Sequence, residues 1–281
     1  MDITHSTLCG CRADYENAVT VLFGTPFELQ TMYRSGAEEA SSAIRYASTI
    51  IETFSPYLRT DMTDVDIFDA GDLDISGKEV ITAIDAVESF CGKIHDDGKI
   101  PVMMGGEHIL TCGAVRAAAA RWPELAVLHF DAHADLKRDF RGEAFSDFTL
   151  MRRVWDILGD GRIYQFGVRS GSREEFEWSL EHTRIETGSA NSIDSCAEAV
   201  LSRPIYVTVD LDVLDPAEFP ATGTPEAGGM SFRLLYDALL SIRGLDVVGF
   251  DLFGLFPPFD KTGASMSLAA KLLREMLIAF S

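Results

Sequence analysis

Three short clusters of metal-type ligands constrain this chain more than any other feature: His108 in GGEHIL, Asp131, His133 and Asp135 in FDAHAD, and Asp210 and Asp212 in VDLDVLDP. Each follows a short apolar run that reads as a buried strand. Asp131, His133 and Asp135 recur at every second residue, as do Asp210 and Asp212, so at the end of an extended strand each set shares a face. The runs Ala126 to Phe130 and Ile205 to Val209 are short, continuous and rich in β-branched or bulky apolar residues, which suits strands covered on both faces of a parallel sheet. Ligands of open parallel sheets gather at the carboxyl ends of the strands. A single Asp-x-Asp is commonly a cap or turn, but three clusters at strand ends point to one site. Four carboxylates brought together need cations among them. Two divalent ions would supply that charge, so the pattern predicts a two-metal hydrolytic centre.

The rest of the chain alternates strand and helix. Ala18 to Phe23, Pro101 to Met104, Val127 to Phe130, Ile163 to Val168, Ile205 to Val209 and Val247 to Phe253 read as strands, with a short acidic strand-and-loop stretch at Asp64 to Asp74. Helical periodicity covers Ser35 to Phe54, Lys78 to His95, the Ala117 to Ala120 run, Phe145 to Leu158, Cys196 to Leu201, Phe232 to Ile242 and Ser267 to Phe280. The expected fold is a single three-layer α/β/α domain over residues 1–281 with a mostly parallel sheet. Pro216 to Gly229, rich in Pro, Gly and Thr, is expected to form an ordered loop over the site.

Composition narrows the partners. The chain has 24 basic and 44 acidic residues, a net charge of −20, which argues against nucleic acid and anionic membranes and accords with a cationic substrate. Five cysteines, an odd number without a Cys-x-x-Cys, form no disulfide framework and fit a reduced cytoplasmic compartment. No basic-then-apolar leader and no run of membrane-spanning length is evident.

From about Val19 onward the chain resembles the ureohydrolase family (arginase, agmatinase and relatives), and the agmatinase branch most closely. The likeness is carried by TPF, YRSGA, GGEH, HFDAHADL, the MRR of Met151 to Arg153, FGVRSGSREE, TVDLDVLDPAEFPATGTPEAGGM, and GFD followed by PPFD. The resemblance implies an arginase-like fold and two Mn²⁺ ions, other divalent metals being possible. His108, Asp131, Asp135 and Asp210 would hold one ion, and His133, Asp131, Asp210 and Asp212 the other. Asp135 would accept a hydrogen bond from the attacking hydroxide and help pass a proton to the leaving nitrogen. His129 is expected to pack in the core or support a ligand. A small guanidino or amidine substrate, agmatine first, and a homo-oligomer (trimer or hexamer) are also implied.

Two positions depart from the agmatinase pattern. Asp147 stands where the family carries a His taken to be a proton shuttle, and is expected to relay protons in its place. Gly254 stands where the family carries a Glu that grips the guanidinium, with Glu226, Glu143 and Asp139 as carboxylates that could compensate. Three functions follow: an agmatinase-like hydrolase, a hydrolase of another amidine or formimino substrate, and a non-catalytic metal-binding member.

Overall fold

The computed structural model describes residues 7–29 and 33–281. Its central sheet has eight strands: β1 (Thr20–Gly24), β2 (Ile67–Asp72), β3 (Ile100–Met104), β4 (Ala126–Phe130), β5 (Ile163–Val168), β6 (Arg184–Thr187), β7 (Ile205–Asp210) and β8 (Val247–Phe253). Their spatial order is β2-β1-β3-β8-β7-β4-β5-β6, and every neighbouring pair is parallel. Eight helices flank the sheet: α1 (Ala40–Ser48), α2 (Val80–Asp96), α3 (Thr111–Arg121), α4 (Leu150–Leu158), α5 (Arg173–His182), α6 (Ile193–Val200), α7 (Phe232–Ser241) and α8 (Ala264–Phe280).

The apolar runs are continuous because both faces of the sheet are covered. On β4, Ala126, Leu128 and Phe130 join a core shared with α1, α6, α7 and α8, while Val127 joins the opposite core with α2, α3 and α4. Fully burying an aromatic such as Phe130 contributes about 1.5–3 kcal/mol relative to exposure. The three-layer α/β/α expectation therefore holds.

One local expectation does not, and one segment holds elements outside every expectation. The helix read from Ser35 to Phe54 is shorter: a 3-10 turn over Ala37–Glu39 leads into α1, which stops at Ser48. The hydroxyls of Ser48 and Thr49 donate back to the carbonyls of Arg45 and Tyr46, competing with the helix as it ends. Phe54 belongs instead to a small antiparallel hairpin with Thr60–Asp61. The segment between Val168 and Ala190 holds a helix and the edge strand β6, which the periodicity did not reveal. Its signature was present as the capping box of Ser172 and Glu175 that starts α5.

The strands that matter for the site are the central four. β3, β8, β7 and β4 lie side by side, so the segments leaving their carboxyl ends meet. The GG turn after β3 needs its glycines. Gly106 has φ +79°, and a Cβ there would stand 2.0 Å from the Thr25 carbonyl oxygen.

Candidate metal centre

All six sequence-predicted ligands line one recess above the centre of the sheet. It holds about 30 Å³, a space on the scale of ions and water. A larger cavity, about 830 Å³, lies instead beside β6 and shares no residue with the ligand clusters.

The local geometry differs from the alternation read in the sequence. β4 ends at Phe130, so Asp131, His133 and Asp135 sit on the loop that follows it, not on the strand. Asp135 has φ +53°, a left-handed conformation that Asp tolerates better than most residues. Backbone hydrogen bonds fix this loop: Ala134 N–H donates to Ser170 O, and Asp135 O accepts from Arg152 N–H at the start of α4. Asp210 ends β7, and Asp212 lies in the 3-10 turn Leu211–Val213. The Asp210 carboxylate caps that turn by accepting from Asp212 N–H at 2.8 Å. A cap and a ligand are thus the same residue here.

Asp131 is the hub. Its Oδ1 lies 3.3 Å from His133 Nδ1, and its Oδ2 lies 3.3 Å from His108 Nδ1. His133 Nδ1 is also 2.9 Å from Asp212 Oδ2, and His108 Nδ1 is 3.5 Å from Asp210 Oδ2. Two groupings have ligand atoms close enough to share an ion: His108, His129, Asp131 and Asp135, and Asp131, His133 and Asp212.

The electrostatics call for cations. Burial and the charge of Asp131 push the carboxyls of Asp135 and Asp212 above their usual range, and burial and Asp212 do the same to Asp210. Burial opposes charge on His108 as well, yet Asp131 and Asp210 outweigh it and raise that imidazole to about 10. His133 is raised to about 12, with Asp212 and Asp131 overcoming its burial. Without metal, protons would take the place of positive charge. His108 Nδ1 is buried and makes no hydrogen bond among the described residues. It is aimed at carboxylate oxygens that are themselves acceptors. That donor set of two imidazoles and four carboxylates, with no thiol lining the recess, fits hard or borderline divalent ions.

A buried polar row lies beneath the cluster. Four adjacent strands are in register at Asp251, Thr208, His129 and Gln165. Thr208 Oγ1 is 2.7 Å from His108 Nε2, which leaves Nδ1 facing the carboxylates. His129 Nε2 is 3.0 Å from Asp131 Oδ2, and Gln165 Nε2 donates to His129 Nδ1 at 3.1 Å. The amide fixes the tautomer, so His129 donates to Asp131 and orients it. Asp251 Oδ2 in turn accepts from Thr111 and Tyr206. Thr208, Gln165 and Asp251 were not singled out from the sequence. The signal was there: each lies inside an otherwise apolar strand.

The loop after Asp212 covers the site as expected, with Thr222, Gly223 and Thr224 on the recess wall. Arg169 fastens it. Its guanidinium donates to the carbonyls of Gly167, Asp212, Val213, Leu214, Glu226 and Ala227. Arg169→Met keeps much of the bulk but orphans these acceptors, so an unfolding free energy lower by about 2–4 kcal/mol is expected in urea denaturation. A change below about 0.5 kcal/mol would contradict this role.

Asp147 lines the recess, whereas Glu226, Glu143 and Asp139 do not. Asp147 Oδ1 accepts from Ile109 N–H at 2.7 Å. Beside it, burial and then the charge of Asp147 hold the Glu107 carboxyl well above its usual range. Gly254 is buried against Asp210, with φ +85°.

Known proteins share this chain's sequence and fold. Residues 18–279 match the model of the arginase family. An agmatinase of Bacillus subtilis (strain 168) is 37% identical over 275 residues, covering 96% of this chain and 94% of its own. A guanidinobutyrase of Pseudomonas aeruginosa is 32% identical, covering 90% of this chain and 84% of its own. The crystal structure of the agmatine ureohydrolase of Thermoplasma volcanium superposes with a TM-score of 0.89 at 34% identity, covering 99% of this chain and 95% of that one. The resemblance read from the motifs is thereby established, and the chain belongs to the arginase family.

Proposed function

We propose that this protein hydrolyses agmatine to putrescine and urea at a dimanganese centre. The observation that carries the reading is the convergence of His108, Asp131, His133, Asp135, Asp210 and Asp212 on one recess, in a chain whose relatives include agmatinases at 37% identity. In this reading His108, Asp131, Asp135 and Asp210 hold one ion, and His133, Asp131, Asp210 and Asp212 the other. When bound, divalent ions supply Lewis acidity that activates water near neutral pH.

The protein's own groups do the rest. Thr208 and the His129–Gln165 pair hold His108 and Asp131 in their binding orientations. Asp135, buried in the recess lining, takes a proton from the attacking water on a carboxylate oxygen. Water oxygen bonds to the guanidinium carbon, Asp135 returns the proton to the alkyl nitrogen as its bond to that carbon breaks, and the remaining O–H proton passes to the freed amine, leaving neutral urea and an ammonium. The wall formed by Phe148, Phe256 and Thr222 restricts bulk water. These relatives favour agmatine over a formimino substrate or a role without catalysis.

The same reading puts the protein in the cytoplasm, in polyamine metabolism, as a homo-oligomer of three or six chains. Its five cysteines are all unpaired, which supports a reducing compartment. No described helix is long and apolar enough to cross a membrane. Urea release from the manganese-loaded protein should be fastest with agmatine when arginine, guanidinobutyrate, guanidine and formimino compounds are run in parallel. Preference for another compound would replace the substrate, and no release from any would sink the catalytic reading.

A further inference from the structure

The recess contains one carboxylate that the metal assignment does not use. Asp147 lines its wall, next in sequence to Phe148, and Phe256 lines the same recess. No other acidic residue outside the six ligand positions does so among the described residues.

Asp147 is held, not loose. It begins a 3-10 turn, Asp147–Thr149, that the Thr149 hydroxyl holds by accepting from Ser146 N–H at 3.0 Å and donating to Ser146 O at 2.8 Å. Its Oδ1 accepts from the backbone N–H of Ile109, immediately after the candidate ligand His108. Phe148 is braced in turn by Phe140, with ring centroids 4.3 Å apart. A proton relay has to exchange partners between the reacting atoms and solvent. A carboxylate clamped by a backbone N–H on a locked turn is better suited to holding a fixed charge in one place.

A planar guanidinium is recognised by a fixed carboxylate, aromatic surface and limited water. The Asp147, Phe148 and Phe256 wall offers all three. Gly254 has no side chain to offer, and Glu226, Glu143 and Asp139 lie outside the recess. We infer that Asp147 is the carboxylate that recognises the guanidinium of the substrate, and that it sets the preference for cationic over neutral amidines. This rests on the guanidino-hydrolase reading above and changes the role of Asp147 from proton relay to substrate recognition.

The test uses the full-length manganese-loaded protein and two variants, Asp147→Asn and Asp147→His. Asn retains the oxygen that accepts from Ile109 N–H and removes only the charge. His removes the charge but retains a group able to carry protons. Four quantities are read: kcat and KM for agmatine, bound manganese, and the dissociation constant of guanidinium chloride by calorimetry against sodium and tetramethylammonium chlorides. In both variants KM and the guanidinium dissociation constant should rise at least about tenfold. Metal content should stay at the unmutated level, and kcat should remain within about threefold of it. Glu226→Gln should leave guanidinium affinity unchanged.

Loss of kcat alone in Asp147→Asn, with recovery in Asp147→His, would overturn the inference in favour of a relay. So would loss of manganese from both variants, or equal weakening by Glu226→Gln. If the unmutated protein releases no urea from any guanidino compound, the proposed function falls, yet guanidinium binding still decides the role of Asp147. Selective binding abolished by Asp147→Asn supports the inference, and no selective binding by the unmutated protein refutes it.

Discussion

Asp131→Asn should abolish the response of this protein to manganese, both in stability and in activity. Asp131 is fully buried and touches both candidate ion positions, with His133 facing Oδ1 and His108 facing Oδ2 at 3.3 Å each. The substitution removes a negative charge and puts an N–H₂ donor on one of these two positions. Whichever way the amide turns, one imidazole meets a donor in place of an anionic oxygen. Removing a group that merely orients a metal ligand commonly costs 10–100-fold in affinity or activity. Removing the shared ligand should cost more, at least about 10³-fold in kcat/KM for agmatine.

The thermal measurement separates binding from chemistry. A ligand bound only by the folded state, present at a hundred times its dissociation constant, stabilises it by about 2.7 kcal/mol. Chelation of the unmutated protein should therefore lower its Tm, and manganese should restore it. Asp131→Asn, and Asp210→Asn likewise, should show no such rise at the same metal concentration. A normal manganese-induced rise in Tm with a full complement of bound metal would remove Asp131 from the ligand set.

The convergence of the clusters was legible because two independent signals coincided, ligand chemistry and a preceding apolar run. Strand alternation accounts for it only in part. Alternation on a strand would place Asp131, His133 and Asp135 on one face, yet the strand ends at Phe130 and a left-handed Asp135 turns the chain. The side chains meet because Ala132 and Ala134 are buried and their N–H groups are held by Asp212 and Ser170. Such long-range tethers are invisible to a periodicity argument. The polar row of Asp251, Thr208, His129 and Gln165 illustrates a different limit. Each strand shows one polar residue among apolar neighbours, which can be read in sequence. That the four align across the sheet depends on register, which only the folded chain fixes.

Gly254 lacks the side chain that the family carries, and the structure gives the glycine a positive requirement. Restoring Glu at this position would appear to return a guanidinium clamp. However, a Cβ built on Gly254 would stand 2.1 Å from Asp210 Oδ1 and 2.9 Å from Leu211 N, and its φ is +85°. Neither the carboxylate nor the backbone can yield cheaply. Asp210 Oδ1 accepts from Asp212 N–H and caps the turn that presents Asp212. A methyl group at residue 254 therefore acts on two candidate ligands through one collision. Gly254→Ala should cost about 1–3 kcal/mol from backbone strain and overpacking together. It should also weaken manganese binding and lower kcat/KM by at least about a hundredfold, a loss on the scale expected when ligand-orienting groups are disturbed. Gly254→Glu should be worse than Ala, since it adds a further carboxylate to the steric conflict beside Asp210 and Asp212. Equilibrium unfolding, metal titration and agmatine kinetics on both variants would decide the matter. A gain in agmatine kcat/KM by Gly254→Glu with intact metal binding would mean that the backbone here adapts, and that the missing carboxylate at residue 254 is the limiting feature of substrate recognition.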